Sequence, residues 1–182
     1  TTPAAALNPT QPIQLEEFKM SQADYFLKID TIAGESEDAD PDLKGTLQIQ
    51  NWSFGETNSG SSVTGTGLGS GKVSMQDFHF TVDYGKASPN LFLKCAIGEH
   101  IKKAVLTCRK AGGKQEKYLT IEFGDIIISS YQTGGNASGT PMDQISFNFT
   151  NISIDYKPQD TKTGALLAPV KAGYDVKLNK KT

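Results

Sequence analysis

The chain has 182 residues, 37% of them hydrophobic, which is enough for one domain with a sizeable core. Its 18 basic and 20 acidic side chains give a net charge of −2, which excludes a general attraction to nucleic acid or to an anionic membrane. Eighteen glycines, with aromatics that are mostly Phe and Tyr, suit short strands joined by loops and favour an all-β class.

Thr1 to Lys19 has three prolines and no clean periodicity. The chain has no run of about 20 apolar residues to span a bilayer, and no basic-then-apolar leader is expected at its start. If the protein leaves a cell, another machine is expected to carry it. Tyr25, Leu27 and Ile29 then alternate over Asp24 to Asp30, which predicts a first half-buried strand.

Gly34 to Gly45 is an acidic loop carrying Glu35, Glu37, Asp38, Asp40 and Asp42. A calcium loop starting at Asp38 would place its obligatory glycine at Leu43 and its closing glutamate at Ile49, so a solvated loop is the better reading. Thr46 to Phe54 reads as a second strand, with Leu47 and Ile49 on one face and, after a slip, Trp52 and Phe54 on the other. Ser53 therefore points away from both aromatics.

Gly55 to Gly71 is a long extended loop with glycines at Gly55, Gly60, Gly65, Gly67, Gly69 and Gly71. It is not a phosphate cradle. That motif needs glycine where Thr66 stands and Ser or Thr where Val73 stands, and it opens a helix.

Lys72 to Val82 alternates first at Val73 and Met75 and then, one step out of phase, at Phe78, Phe80 and Val82, which predicts a bulge. Asp83 to Gly85 turns the chain. Ser88-Pro89 predicts a helix start in which the Ser hydroxyl caps the helix and Pro takes its first position. Gly98 supplies the stop. Around this short helix Asn90 and Lys94 form a polar stripe, while Leu91, Phe92, Leu93, Cys95, Ala96 and Ile97 are apolar. A sheet covers one side only, so a second partner is expected over the rest.

Lys102 to Lys110 and Tyr118 to Phe123 predict paired strands joined by a turn at 111–114. Gly124-Asp125 reads as an interruption before Ile126, Ile127 and Ile128, and Thr133 to Pro141 as another loop. Gln144 to Tyr156 is the last long strand, with a slip at Asn151. From Pro158 the tail is polar apart from Leu166, Leu167 and Val170, with a possible short strand at Tyr174 to Leu178. Slips near 51, at 77–78 and near 150 suit a small β-barrel or a bent two-sheet sandwich closed on one side by the helix.

No catalytic chemistry is expected. His79 and His100 lack a nucleophile motif or ligand spacing, no metal cluster or cofactor motif occurs, and Cys95 and Cys108 read as two buried thiols rather than a pair. Asn51, Asn136, Asn148 and Asn151 each begin a glycosylation triplet, three of them on predicted strands, where chance is the better reading.

The run Gly71-Lys72-Val73-Ser74-Met75-Gln76-Asp77-Phe78 through Lys86-Ala87-Ser88-Pro89-Asn90-Leu91 resembles the haemolysin-coregulated protein (Hcp) family, the inner-tube proteins of bacterial type VI secretion. Further resemblance lies in Phe26-Leu27-Lys28-Ile29-Asp30 with Gly34-Glu35-Ser36, in Trp52-Ser53-Phe54-Gly55, and in Leu106-Thr107-Cys108-Arg109-Lys110-Ala111-Gly112-Gly113. It continues in Ile128-Ser129-Ser130, Phe147-Asn148-Phe149 and Asp155-Tyr156-Lys157-Pro158-Gln159. These matches span roughly Asp24 to Asp175; where the family often has Trp, this chain has Tyr174.

The resemblance implies a single β-barrel domain over 20–182, with 1–19 a disordered or vector-derived tail and Met20 at the place of a native start. It implies a homohexameric ring, made in the cytoplasm and expelled by the type VI apparatus, that stacks into a tube and carries effector proteins. The tip spike protein and the contractile sheath would be its partners. By similarity Ser53 faces the lumen, and the loop from Gly55 to Gly71 reaches the neighbouring ring. Interface candidates are Asn90 and Lys94 on the helix, with Glu35 and Asp38 facing Lys102 and Arg109 of another subunit. A monomeric β-sandwich that binds glycans is the alternative, which the placement of nearly all predicted aromatics on strands or the helix disfavours.

Overall fold

The computed structural model describes residues 23–58, 73–110, 115–137 and 139–182. The strands are β1 (Ala23–Ile29), β2 (Leu47–Ser53), β3 (Glu56–Asn58), β4 (Val73–Met75), β5 (Phe78–Asp83), β6 (Ile101–Lys110), β7 (Lys117–Gly134), β8 (Met142–Tyr156), β9 (Val170–Asp175) and β10 (Lys180–Lys181). One helix, α1 (Ser88–Ile97), lies between β5 and β6.

Six strands in the order β8-β5-β2-β1-β6-β7 form a barrel, closed where β7 pairs with β8. Every pairing is antiparallel. β8 serves two neighbours on its other side: Met142 to Phe147 pair with β5, and Asn151 to Tyr156 pair with β9. Its buried side chains change phase there, from Ile145, Phe147 and Phe149 to Ile152, as the pattern in the sequence predicts.

The core is built on three rings from three strands. Phe78, Phe123 and Phe147 are each 0% exposed, and their centroids stand 4.8 Å (78–123), 5.0 Å (78–147) and 5.2 Å (123–147) apart. Trp52 stacks on Phe78 at 6.0 Å and meets Tyr25 edge-on at 6.3 Å.

Four local expectations are corrected. The slip at 77–78 is a change of sheet, because β4 pairs with β3 in a separate two-stranded ribbon while β5 enters the barrel. Gln76 and Asp77 are the link between them. The Gly124-Asp125 break is absorbed inside one continuous 18-residue strand, with Asp125 at φ 50°, and that strand runs on through Gly134 into the expected loop. The helix begins where expected, but Ala87 is its N-cap and Ser88 makes no cap. The Ser88 hydroxyl instead accepts the Gly85 amide at 3.0 Å and closes the preceding turn. The tail strand starts earlier, at Val170, since its ladder with β8 already begins at Tyr156.

Gly98 ends the helix as expected, at φ 63°, with its amide reaching Cys95 O and the Glu99 amide reaching Lys94 O. The hairpin 111–114 and the glycines at 60, 65, 67, 69 and 71 lie outside the described residues.

Replacing Phe78 with Ala empties the centre of the ring cluster, and we expect a loss of about 3–5 kcal/mol in urea denaturation. Phe78→Leu, closer in volume, is expected to lose less than half of that.

Candidate functional site: the barrel surfaces and their charges

Ser53 ends β2 on the outer wall. It is exposed, between the half-buried Trp52 and Phe54 that turn inward. Cross-strand register places it opposite His79 on β5, His79 opposite Ser146 on β8, and Ser146 opposite Ser130 on β7. The next row is Asn51, Thr81, Gln144 and Gln132. β2, β5 and β8 contain no Lys or Arg, so the 18 basic residues of the chain lie elsewhere. This wall offers hydroxyls, amides and one imidazole, a surface suited to many weak hydrogen bonds and lacking the apolar anchors of a tight interface.

The acidic loop is not simply solvated. Gly34 donates to Gly45 O at 2.8 Å, and a Cβ on Gly34 would stand 2.2 Å from Thr46 O, so only glycine lets the loop cross the start of β2. Asp38 faces Arg109, whose side chain is 6% exposed, through contacts of 2.9 Å and 2.8 Å to its two oxygens; Asp24 adds a third at 3.1 Å. The guanidinium lies 4.9 Å from the Phe26 ring centroid. Lys117 bridges Asp40 at 2.7 Å and Asp42 at 3.1 Å. The acid–base complementarity expected between subunits is thus met inside one chain for Asp38 and Arg109, because β1 and β6 bring Asp24 and Arg109 side by side in register.

These contacts set the titration. The Arg109 hydrogen bond, followed by the Asp40 amide, holds the Asp38 carboxyl below its ordinary value of 3.8. Lys117 does the same for Asp40. Burial pushes the Cys108 thiol up to about 12, and both cysteines are free.

On the helix, Leu91 is buried and Cys95 half-buried. Lys94 shares that side, 13% exposed and paired with Glu99 at 2.6 Å, so the expected polar stripe is reduced to Asn90. Phe92, Leu93 and Ile97 stand 57%, 52% and 60% exposed. Phe92 touches Tyr131 edge-on at 5.8 Å; Tyr131 donates to buried Asp143 at 3.0 Å, and burial followed by that bond pushes its phenol up to about 12. Of the other expected site residues, Lys102 is exposed, Glu35 is exposed beside a cleft with Asp83 and Lys86, and Gly55 stands at the root of the ribbon.

His79 is exposed, and His100 pairs with Asp125 at 2.9 Å. Among the described residues, no three His, Cys, Asp or Glu side chains gather as a metal site, and no helix is long and apolar enough to cross a membrane.

The family model described as "Type VI secretion system effector, Hcp" matches residues 26–156. The chain belongs to the Hcp family. Protein hcp1 of Pseudomonas aeruginosa strain PAO1 is 37% identical over 158 residues, covering 86% of this chain and 96% of that protein. The crystal structure of Hcp1 from Salmonella typhimurium superposes with a TM-score of 0.70 at 32% identity, covering 90% of this chain and 100% of the other. A type VI secretion system effector from Yersinia pestis gives 0.67 at 34% identity, covering 84% and 99%. Hcp proteins are secreted, structural components of type VI secretion and not enzymes.

Arg109→Met leaves Asp24 and Asp38 facing each other in a half-dry pocket, at an expected cost of about 3–5 kcal/mol near neutral pH. Asp38 is depressed in the folded state, so its contribution is complete above its unfolded value of 3.8 and is lost as pH falls through the lower folded value. The gap between parent and variant in urea denaturation should therefore narrow below that value. An equal gap at neutral and acid pH contradicts the assignment.

Proposed function

We propose that this Hcp protein is the ring-forming subunit of a type VI inner tube. Six copies close into a ring, rings stack, and small effector proteins travel in the lumen. The chain is made in the cytoplasm as a single barrel domain over 20–182 and leaves with the tube, whose spike protein and contractile sheath are its partners.

The observation that carries this reading is the bare flank of α1. Phe92, Leu93 and Ile97 project from a molecule whose other large apolar groups are mostly sealed inside a closed barrel. An apolar helix flank on the side of a barrel is what a neighbouring copy covers in a ring with head-to-tail contacts. Asn90, Glu35 and Lys102 remain exposed for that contact, whereas Lys94, Asp38 and Arg109 are already engaged within the protomer. The wall around Ser53, whose strands carry no Lys or Arg, supports the lumen role, since cargo that must be released is best held by weak polar contacts. Gly55 and the glycine-rich loop after it are assigned to ring stacking.

Light scattering after gel filtration tests the ring: a mass near six protomers supports it, and a monomer at high concentration favours the glycan-binding alternative. Ser53→Gln should keep that mass while lowering the cargo recovered with the rings. Undiminished recovery removes Ser53 from the lumen. Shortening the loop between Gly55 and Gly71 should preserve rings and abolish stacking, and normal tubes by electron microscopy refute its role.

A further inference from the structure

Among the described residues, the β3–β4 ribbon pairs only with itself. Its direction relative to the barrel depends on two short links, Phe54–Gly55 and Gln76–Asp77. The Gln76 amide donates to Gly55 O at 2.8 Å, which ties one link to the other rather than to the wall. Phe54 and Met75 pack at the margin of the core and hold the root in place. The Phe54 ring, stacked on Trp52 and edge-on to Phe123, anchors the barrel end of the first link, whereas the burial of Met75, on the ribbon itself, is non-directional.

A directional restraint comes from the other side. Asp77 Oδ2 accepts a hydrogen bond from Ser129 Oγ at 2.5 Å, and Ser129 Oγ stands 2.9 Å from Ser146 Oγ. The β7–β8 register shifts between Ile128 and Ser130, so Ser129 is the extra residue of a bulge. A bulge re-aims one side chain out of the regular ladder; here that side chain meets the link. Beside the ribbon root, an open slot lined by Met75, Ile152, Ile154, Ala172 and Tyr174 leaves room to swing toward β9.

We propose that Asp77 is a positioning residue: by accepting the Ser129 hydroxyl at the β7 bulge, it sets the angle at which the β3–β4 ribbon leaves the barrel. Because the long loop continues from this ribbon, the angle also decides how the loop is presented to the next ring. That consequence rests on the stacking role proposed above, whereas the angle itself does not.

The test is an electron–electron distance measurement between spin labels on T57C, in β3, and Q132C, on the outer wall of β7, in a Cys95→Ser background with labelled protein diluted in unlabelled. The parent should give one narrow distance population. Asp77→Ala should broaden it, Ser129→Ala should reproduce the broadening, and Asp77→Asn, whose amide oxygen still accepts, should restore the narrow population. A parental distribution in Asp77→Ala overturns the proposal, as does a lowered melting temperature without broadening; if that variant fails to fold, Ser129→Ala carries the same test. Electron microscopy of the same samples separates the two claims. A broadened ribbon with normal tubes refutes the stacking role and leaves the positioning role standing, while a narrow ribbon with lost stacking does the reverse.

Discussion

Closing a six-stranded sheet demands that its two end strands pair with each other, and in this protein the 15-residue β8 meets that demand by pairing with β7. Its pairing with β7 runs nearly its full length, while β5 and β9 share its other edge. Phe147, within the half that pairs with β5, puts the same strand at the centre of the ring cluster. With closure secured there, the barrel wall has no open edge to attract other chains. Beyond the wall's own outer face, contacts fall to what hangs on it: the helix, the ribbon, the acidic loop and the β9–β10 extension.

Charge is distributed to match. Arg109 and Lys117 each hold two carboxylates, and these pairs pin the acidic loop over β1 and β6. Phe26, under the Arg109 guanidinium, and Leu43, within the loop, are both 2% exposed and outside the main core cluster. A buried Arg shared between two Asp is a poor source of net stability, yet costly to break, so it holds the loop in one place. The opposite arc of the barrel, across β2, β5 and β8, has no Lys or Arg.

Much of this was legible in the residues, and the exceptions share a cause. Alternation located the strands because each has one buried face, and Gly98 ended the helix because a left-handed residue was needed. The same local view failed where a partner distant in sequence decides. Ser88 looks like a cap until Gly85 claims its hydroxyl. Lys94 looks like a surface residue until Glu99, after the helix stop, draws it along the sheet side. The slip at 77–78 looks like a bulge because alternation cannot tell a bent strand from one that changes sheet. Of the candidate site, the outward direction of Ser53 and the apolar helix flank could be read from periodicity, while the choice of Ser53 itself came from the family resemblance; the Asp38–Arg109 pair, 71 positions apart, became visible only in the folded chain.

The barrel's connectivity also has a kinetic meaning. β6, β7 and β8 follow one another as antiparallel neighbours, so their ladders close short loops at little entropic cost. The seams β1–β6 and β5–β8 join segments far apart in the chain, Ala23 with Lys110 and Phe78 with Phe147. Loop-closure entropy places those seams late, which makes the three-strand meander the natural nucleus and the docking of β1, β2 and β5 the slow step. Until that step, the edges of β6 and β8 stand open with Phe123 and Phe147 beside them. The newly made chain is thus at greatest risk of associating wrongly just before its wall closes.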